Sequence, residues 1–347
     1  MINVADKNLN TFCSILSAET GLSFPISRYS FVLNRITPLL KKYNCSTPTE
    51  LILKCKSDTT IGLDVINALT TNETWFFRHP EHFNILKNDI IPNLLRIKKD
   101  KKIRIWSAGC SIGAETYSIL ITLLESIPTS SKVRIELTGS DISYEAIKIA
   151  RSGIFTQHDL RATENSILEK YFEKLDNGNY KVKQELKQYV SFECMNLLET
   201  WPPRVFDIIF CRNTMIYFKE EIKSKLINRF FKALDFNGYF ITSSNELIKA
   251  SCEESGIKKL YMNNEMIYQK VNNQPSVSAL YFKTPSELLK ASNYLRRNNY
   301  HFEFGPTEND RSNNGIRALY VRPEDLNLIK ECLGIVSIVP EKTELIK

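Results

Sequence analysis

The stretch RIWSAGCSIGAETYSIL, residues 104–120, decides the fold of this chain. An apolar strand ending at Trp106 leads into a turn of small residues, Ser107–Gly113, and then into a helical pattern over Ala114–Leu124. A buried strand that feeds such a turn and then a helix is the usual holder of a nucleotide-like cofactor in α/β proteins. The stretch therefore predicts a doubly wound α/β sheet with a cofactor site at this turn.

The glycine spacing of the turn indicates the kind of cofactor. A dinucleotide-binding turn carries G-x-G-x-x-G, so that the helix N-terminus can hold a pyrophosphate. Here the turn runs from Gly109 to Gly113, and Glu115 lies in the first helical turn. A carboxylate there repels a diphosphate but attracts a cation. S-adenosylmethionine carries an ammonium group and a sulfonium and no phosphate, so the turn favours it over NAD or ATP.

A second acidic residue, Asp141, follows the strand-like segment Val133–Gly139. At the end of the second strand of a doubly wound sheet, a carboxylate can accept hydrogen bonds from both ribose hydroxyls of an adenosine. The alternative is that Asp141 caps the helix beginning near Tyr144. We favour the ribose role, because turn, glycines and acid occur together at βαβ spacing.

Length and composition limit the classes of protein to which this chain can belong. The 347 residues suffice for two or three domains, and 43% hydrophobic residues allow a sizeable core. No run approaches the ~20 apolar residues of a membrane span, and the N-terminus lacks a signal-peptide profile. The eight cysteines are scattered, without a C-x-x-C pair, so neither disulfides nor a metal site is indicated. We expect a cytoplasmic protein that inserts into no membrane and binds no metal.

The net charge of +7 does not by itself indicate a nucleic-acid partner. The excess is spread thinly, and the one tight cluster, residues 98–102, lies between a predicted helix and the first predicted strand. Such a cluster is typical of a solvated loop rather than of a groove that follows phosphates. We expect no nucleic-acid binding.

The apolar pattern divides the chain. Residues 1–71 show helix-sized apolar patterns without strand alternation and predict a small helical domain. Residues 72–272 alternate strands and helices, which predicts a mostly parallel sheet flanked by helices. Within them, Asn177-Gly178 is a hairpin signal and predicts a small β-subdomain over about residues 171–192.

After a polar segment, residues 277–347 begin a new series of strand and helix patterns. Their strand and helix patterns predict a separate α+β module of βαββαβ type. The apolar segment Ile335–Val339 is its predicted last strand.

Two motifs carry further candidate site residues. FDIIFCRNTMIYF, residues 206–218, contains a buried strand whose carboxyl end releases Arg212, Asn213 and Tyr217 into the crevice where open α/β sheets bind ligands. Asn196-Leu197 follows another strand-like segment at the analogous position.

NETWFFRHPEHF, residues 72–83, places Asn72, Thr74 and Arg78 around the aromatic pair Phe76-Phe77. This arrangement suits either a ligand site or a simple aromatic hinge between domains.

With these motifs, residues 8–271 closely resemble the chemotaxis receptor glutamate methyltransferases of the CheR type. LTTNETWFFR matches the family's LTTN-x-T-x-FFR, RIWSAGCSIGAETYS its RVWSAA-x-S-x-GEEPYS, SDIS its SDID, and CRNTMIYF its CRNVMIYF. The resemblance implies a Rossmann-like S-adenosylmethionine-dependent methyltransferase fold with an N-terminal helical domain. It also implies a protein-glutamate O-methyltransferase whose partner is the cytoplasmic helical region of methyl-accepting chemotaxis receptors.

Carried over position by position, the resemblance implies contacts with S-adenosylmethionine, and with its product S-adenosylhomocysteine, from Asn72, Thr74, Arg78, Glu115, Asp141, Asn196, Leu197, Arg212 and Asn213. It places two of the site residues, Arg78 and Tyr217, nearest the transferred methyl group. This inventory lacks a general base and needs none, because a glutamate is already an anionic nucleophile at neutral pH.

The chain departs from the family pattern at several positions. Ala114 replaces the first acid of GEEPYS, and residues 242–246, TSSNE, replace the family's GHSE. The β-excursion is short, so we expect direct docking without a tether to a receptor's C-terminal pentapeptide. The module 277–347 faintly resembles putative sulfur or selenium carriers but lacks their cysteine, so we expect a docking or regulatory role. Two alternatives remain open: a methyltransferase for another protein or small molecule, and a non-catalytic adaptor that senses the cofactor.

Overall fold

The structure is a computed structural model that describes residues 4–70, 73–98, 101–246, 248, 256–271, 277–282, 285–297, 302–305, 318–321, 329–330, 333 and 342–346. The chain divides into two compact units, Met1–Lys270 and Val271–Lys347. None of the helices in the described ranges is long and apolar enough to cross a membrane.

The first unit begins with helices. They are α1 (Val4–Thr20), α2 (Tyr29–Lys42), α3 (Pro48–Ser57) and α4 (Thr59–Leu69). The side chain of Thr47 caps α3 by accepting the amide of Glu50, and Asp58 caps α4 by accepting the amide of Thr60. Apolar residues at helical spacing meet in one core, which includes Phe12, Ile36, Leu51 and Val65. The predicted helices are therefore present and pack on one another within the same compact unit as the strands that follow, and a separate N-terminal domain stays a prediction.

The remainder of the first unit is built on strands. They are β1 (Lys102–Ala108), β2 (Arg134–Asp141), β3 (Ile154–Phe155), β4 (Phe172–Lys174), β5 (Tyr180–Val182), β6 (Val190–Cys194), β7 (Phe206–Phe210), β8 (Leu234–Ile241), β9 (Ile257–Met262) and β10 (Glu265–Lys270). Seven of them form the main sheet in the order β6-β2-β1-β7-β8-β10-β9. The first five in that order are parallel, and β10 is antiparallel to both neighbours.

Two more helices precede β1, and further helices connect the parallel strands. They are α5 (Pro80–Ile85), α6 (Ile91–Ile97), α7 (Ala114–Ser126), α8 (Tyr144–Ser152), α9 (Asn165–Tyr171), α10 (Gln184–Lys187) and α11 (Glu220–Ala233). The chain passes from β1 to β2 on one side and later returns to pair β7 on the other side of β1. This reversal of strand order creates a crevice at the carboxyl ends of the strands. The doubly wound sheet predicted from the sequence is confirmed.

The β-subdomain is a three-stranded sheet in the order β3-β5-β4, with the Asn177-Gly178 turn between β4 and β5. Its strands fall between residues 154 and 182, so the predicted range of 171–192 is wrong at both ends. Residues 190–194 form β6 of the main sheet instead, because they pair in parallel register with β2.

The second unit contains a four-stranded antiparallel sheet. Its described elements are β11 (Val277–Tyr281), α12 (Pro285–Arg297), β12 (Phe302–Gly305), β13 (Ala318–Val321) and β14 (Lys342–Ile346). The order β12-β13-β11-β14, with residues 329–330 and 333 also helical, is the arrangement of a βαββαβ module. The last strand lies at 342–346, whereas the predicted strand Ile335–Val339 lies outside the described residues.

Candidate functional site

One cleft of about 1100 Å³ opens at the carboxyl ends of β1, β2, β6 and β7. Nine of the ten residues predicted from the sequence line it: Thr74, Arg78, Glu115, Asp141, Asn196, Leu197, Arg212, Asn213 and Tyr217. The tenth, Asn72, lies outside the described residues. Residues scattered over more than a hundred positions thus converge on one surface, while their individual roles stay predictions.

The turn after β1 needs its glycines so that it can pack against neighbouring elements, as well as to let a ligand approach its backbone. Gly109 and Gly113 have φ of 82° and 88°, in the left-handed region that favours glycine. A Cβ at Gly109 would lie 2.0 Å from Oγ1 of Thr214, and one at Gly113 would lie 2.8 Å from Cβ of Ala150. The turn is therefore pressed against the loop after β7 and against α8. A side chain at Gly109 would displace Thr214 in the wall of the cleft, and one at Gly113 would press on α8.

Glu115 lies at the floor of the cleft beside a buried cation. Its Oε1 accepts a hydrogen bond of 2.7 Å from the Ser107 hydroxyl, and its Oε2 lies 3.6 Å from Nη1 of Arg212. Burial raises the pKa of Glu115, an effect that the nearby Arg212 guanidinium opposes. The pair presents an anion and a cation side by side.

Arg212 carries unused hydrogen-bonding capacity into the cleft. The residue is only 5% exposed, and its Nη2 donates to the carbonyl oxygen of Arg78. Its Nε and Nη1 have no hydrogen-bond partner among the described residues. Buried donors without partners cost free energy, which a bound acceptor would recover.

Asp141 bridges two loops. Its Oδ2 accepts the Ser111 amide at 2.8 Å and its Oδ1 accepts the Ser143 amide at 2.9 Å. Burial raises the pKa of Asp141, and these amides oppose that rise. The alternative that Asp141 caps the following helix is wrong, since the Ser143 side chain caps α8 by accepting the amide of Ala146. Each carboxylate oxygen keeps a lone pair that can accept a ribose hydroxyl.

The aromatic motif holds Arg78 in the cleft. Phe76 is fully buried, its amide donates to Asp159, and its ring packs edge-on against Phe155 and Phe172. These contacts tie the motif to the core of the first unit. The Arg78 guanidinium lies 4.6 Å from the ring centroid of Trp75, and its Nη1 donates to the carbonyl of Glu73 at 2.7 Å.

The N-terminal helical region supplies a wall that the sequence reasoning missed. Thr20, Leu22, Ser23, Phe24 and Arg28 line the cleft. The amide of Ser23 donates to the carbonyl oxygen of Tyr217 at 2.6 Å, and the Arg28 guanidinium lies 5.5 Å from the centroid of the Tyr217 ring. No local sequence signal marks this segment, because its contact with Tyr217 spans almost two hundred residues.

Asn196 and Leu197, predicted to follow a strand, line a further wall of the cleft. Asn196 donates from its side chain to the carbonyl of Glu19 at 3.2 Å and accepts the amide of Leu198 at 3.0 Å. Leu197 is buried and packs in the core that contains Trp106. This wall thereby joins the end of β6 to the end of α1.

The donor set fits S-adenosylmethionine. Glu115 can accept from an ammonium group, the nitrogens of Arg212 that lack a hydrogen-bond partner can donate to a carboxylate, and Asp141 can accept from ribose hydroxyls. Together these groups match the methionine and adenosine ends of that molecule.

The raised pKa of Glu115 predicts that cofactor binding depends on pH. Because burial raises its pKa above the ordinary value of 4.5, we expect affinity for S-adenosylmethionine to fall as pH is lowered through the raised pKa. The sign for folding is opposite: a carboxyl group with a raised pKa in the folded state costs stability as pH rises through it.

Calorimetric titration from about pH 5 to about pH 8 checks this expectation. Glu115→Gln should reduce the pH dependence and leave the part that the raised pKa of Asp141 contributes, whereas Glu125→Gln, at the far end of the same helix, should leave the whole dependence unchanged. An unaltered pH profile in the Glu115 variant would contradict the assignment.

Comparisons with known proteins agree with this geometry. Residues 72–261 match the family described as CheR methyltransferase, SAM binding domain. Chemotaxis protein methyltransferase 1 of Vibrio cholerae is 32% identical over 251 residues, which cover 71% of this chain and 90% of the relative. The chemotaxis protein methyltransferase of Borreliella burgdorferi is 31% identical over 258 residues, which cover 72% of this chain and 91% of the relative. The chain therefore belongs to the CheR family and is an S-adenosylmethionine-dependent methyltransferase of chemotaxis.

Proposed function

We propose that this enzyme transfers a methyl group to glutamate side chains in the cytoplasmic helical region of chemoreceptors, forming methyl esters, and that it acts in the cytoplasm. One observation carries the proposal. Arg28 and Arg78 line the cleft, and neither forms an ion pair with a carboxylate in the part of the chain that the structure describes. Both guanidinium groups rest on aromatic rings instead, which leaves their charge available to an incoming carboxylate.

The proposed mechanism needs alignment rather than a base. When bound, the cofactor supplies an electrophilic methyl group on its sulfonium. Arg78 draws the substrate carboxylate into the cleft, and the Tyr217 hydroxyl donates a hydrogen bond that orients it. Phe24, Trp75 and Phe218 supply apolar wall and exclude water.

The histidines near the site do not alter this scheme. Burial lowers the pKa of His82 to about 3, so its ring is neutral at physiological pH. His82 is 1% exposed and does not line the cleft, which leaves it no access to a substrate proton.

Transfer of labelled methyl groups tests the proposal. We expect label from S-adenosylmethionine to enter receptor proteins in membranes from the same cell and to be released by mild base, as a methyl ester requires. Base-stable label would indicate a different acceptor, and cofactor binding without any transfer would support a sensing adaptor.

We also propose that the receptor docks directly, without a pentapeptide tether. The β-subdomain supports this, because its strands are only two or three residues long. The second unit is proposed to be dispensable for chemistry, since every residue described in the cleft belongs to the first unit.

Truncation at Asn273 is expected to leave cofactor affinity within about twofold of the full chain and methylation of a tail-less receptor fragment intact. Calorimetry and the base-labile label measure both quantities. A folded truncation that does not bind cofactor, or activity restricted to receptors with the pentapeptide, would contradict this division of roles.

A further inference from the structure

Glu246 is a buried carboxylate at the rim of the cofactor crevice. It ends a short 3-10 turn, Ser244–Glu246, that follows β8, and it is 6% exposed. It does not line the cleft, and the sequence comparison assigned it no role. A buried carboxylate is retained only when its oxygens are well satisfied.

Four donors converge on this carboxylate. Oε2 accepts the amide of Asn213 at 2.7 Å, and Oε1 accepts the amide of Ile216 at 2.9 Å. The hydroxyls of Thr242, at 3.2 Å, and Ser243 also donate to Oε2. One side chain therefore bridges the two ends of a four-residue segment.

That segment needs such support. Asn213 has a φ of 56°, a left-handed conformation that asparagine adopts more readily than most residues with a Cβ but still at a cost in free energy. It lies between Arg212, whose guanidinium adjoins Glu115, and Tyr217, whose ring faces Arg28. The hydrogen bonds to the amides of Asn213 and Ile216 therefore fix the backbone positions from which the side chains of Arg212 and Tyr217 extend.

We propose that Glu246 is the positioning residue that holds the 212–217 loop, and with it Arg212 and Tyr217, in the geometry required for cofactor binding and methyl transfer. The part that concerns Tyr217 rests on the proposed function, while the part that concerns Arg212 and Asn213 rests only on cofactor binding. Glu246 touches neither ligand and acts through this loop.

The charge of the carboxylate matters as much as its size. The two amides can only donate, so an oxygen acceptor opposite each of them satisfies both, whereas the hydroxyls of Thr242 and Ser243 can also accept. A glutamine of the same size turns its NH2 group toward the amide of either Asn213 or Ile216, which sets two donors against each other; of these amides, that of Asn213 has a second acceptor, the Ser243 hydroxyl oxygen at 3.1 Å. An aspartate keeps the charge, but its shorter side chain cannot reach both amides.

The test compares Glu246→Gln with Asp207→Asn. Asp207 is a matched control, because it is equally buried, accepts the amide of Arg104 at 2.7 Å and pairs with Lys98, but lies at the opposite end of β7. We expect Glu246→Gln to weaken S-adenosylhomocysteine binding about tenfold and to lower kcat about 100-fold. Hydrogen exchange should accelerate at the amides of Asn213 and Ile216. Asp207→Asn should lower only the melting temperature.

The outcomes are separable. Glu246→Gln with wild-type affinity and wild-type exchange at the two amides would overturn the proposal, as would a loss of activity only in proportion to the unfolded fraction. If Glu246→Gln does not fold, Glu246→Asp must show the same selective loss at one of the two amides. If the wild-type enzyme methylates no receptor glutamate, the proposed function fails, and the binding and exchange measurements still decide the role of Glu246.

Discussion

Arg78→Ala is expected to lower the rate of methyl transfer by about 10²–10³ while leaving the melting temperature nearly unchanged. The side chain rests on Trp75 and, among the residues that the structure describes, donates only to the Glu73 carbonyl, so we expect the fold to depend little on it. Its loss removes the cation proposed to face the substrate carboxylate. The carbonyl oxygen that receives Arg212 belongs to the backbone and survives the substitution.

Initial rates with labelled cofactor and a receptor fragment measure this effect, and Arg161→Ala is its matched control. Arg161 also lies against Trp75, at 4.0 Å, but it is exposed and outside the cleft. The control should retain nearly full activity, and Arg78→Lys should recover part of the rate by restoring the charge. Near-normal turnover in Arg78→Ala would remove this residue from the mechanism.

The second large effect is expected for Asp141→Ala, which should weaken binding of S-adenosylmethionine and S-adenosylhomocysteine by about 1–3 kcal/mol. The substitution removes the acceptor predicted for the ribose hydroxyls. It also leaves the amides of Ser111 and Ser143 without their carboxylate, so we expect a lower melting temperature as well.

Calorimetry at a temperature where the variant is fully folded separates the two effects. Glu145→Gln is the control, because Glu145 lies on α8 next to Lys148 and more than half of its side chain is exposed. It should bind both ligands normally. Wild-type affinity in folded Asp141→Ala would refute the ribose assignment.

Much of the fold follows from local patterns. The apolar residues of β1, the left-handed glycines of the turn and the helix after it all appear in one short stretch, because each element is selected by neighbouring residues. The motif around Arg212 is equally local, since a polar pair directly after a fully buried strand must emerge at the strand's carboxyl end. Sequence reasoning therefore predicted the cleft and its central residues.

Local patterns carry less information where strands are short. The β-subdomain was displaced in the prediction because two-residue strands such as β3 have no detectable period, and because β6 joins the main sheet through pairing with a distant strand. Tertiary pairing decided which sheet received each segment.

By itself, the sequence of this protein determined the doubly wound sheet, the preference of its cofactor turn for a cationic ligand, and nine residues that meet at one crevice. Only the tertiary structure decided that Arg28 and Phe24 close that crevice from the helical region, that Asp141 joins two loops, and that Glu246 holds the 212–217 loop. The reason is physical: periodicity and turn chemistry act between neighbours, whereas the hydrogen bonds of a buried carboxylate depend on which distant amides the packed core brings within 3 Å of it.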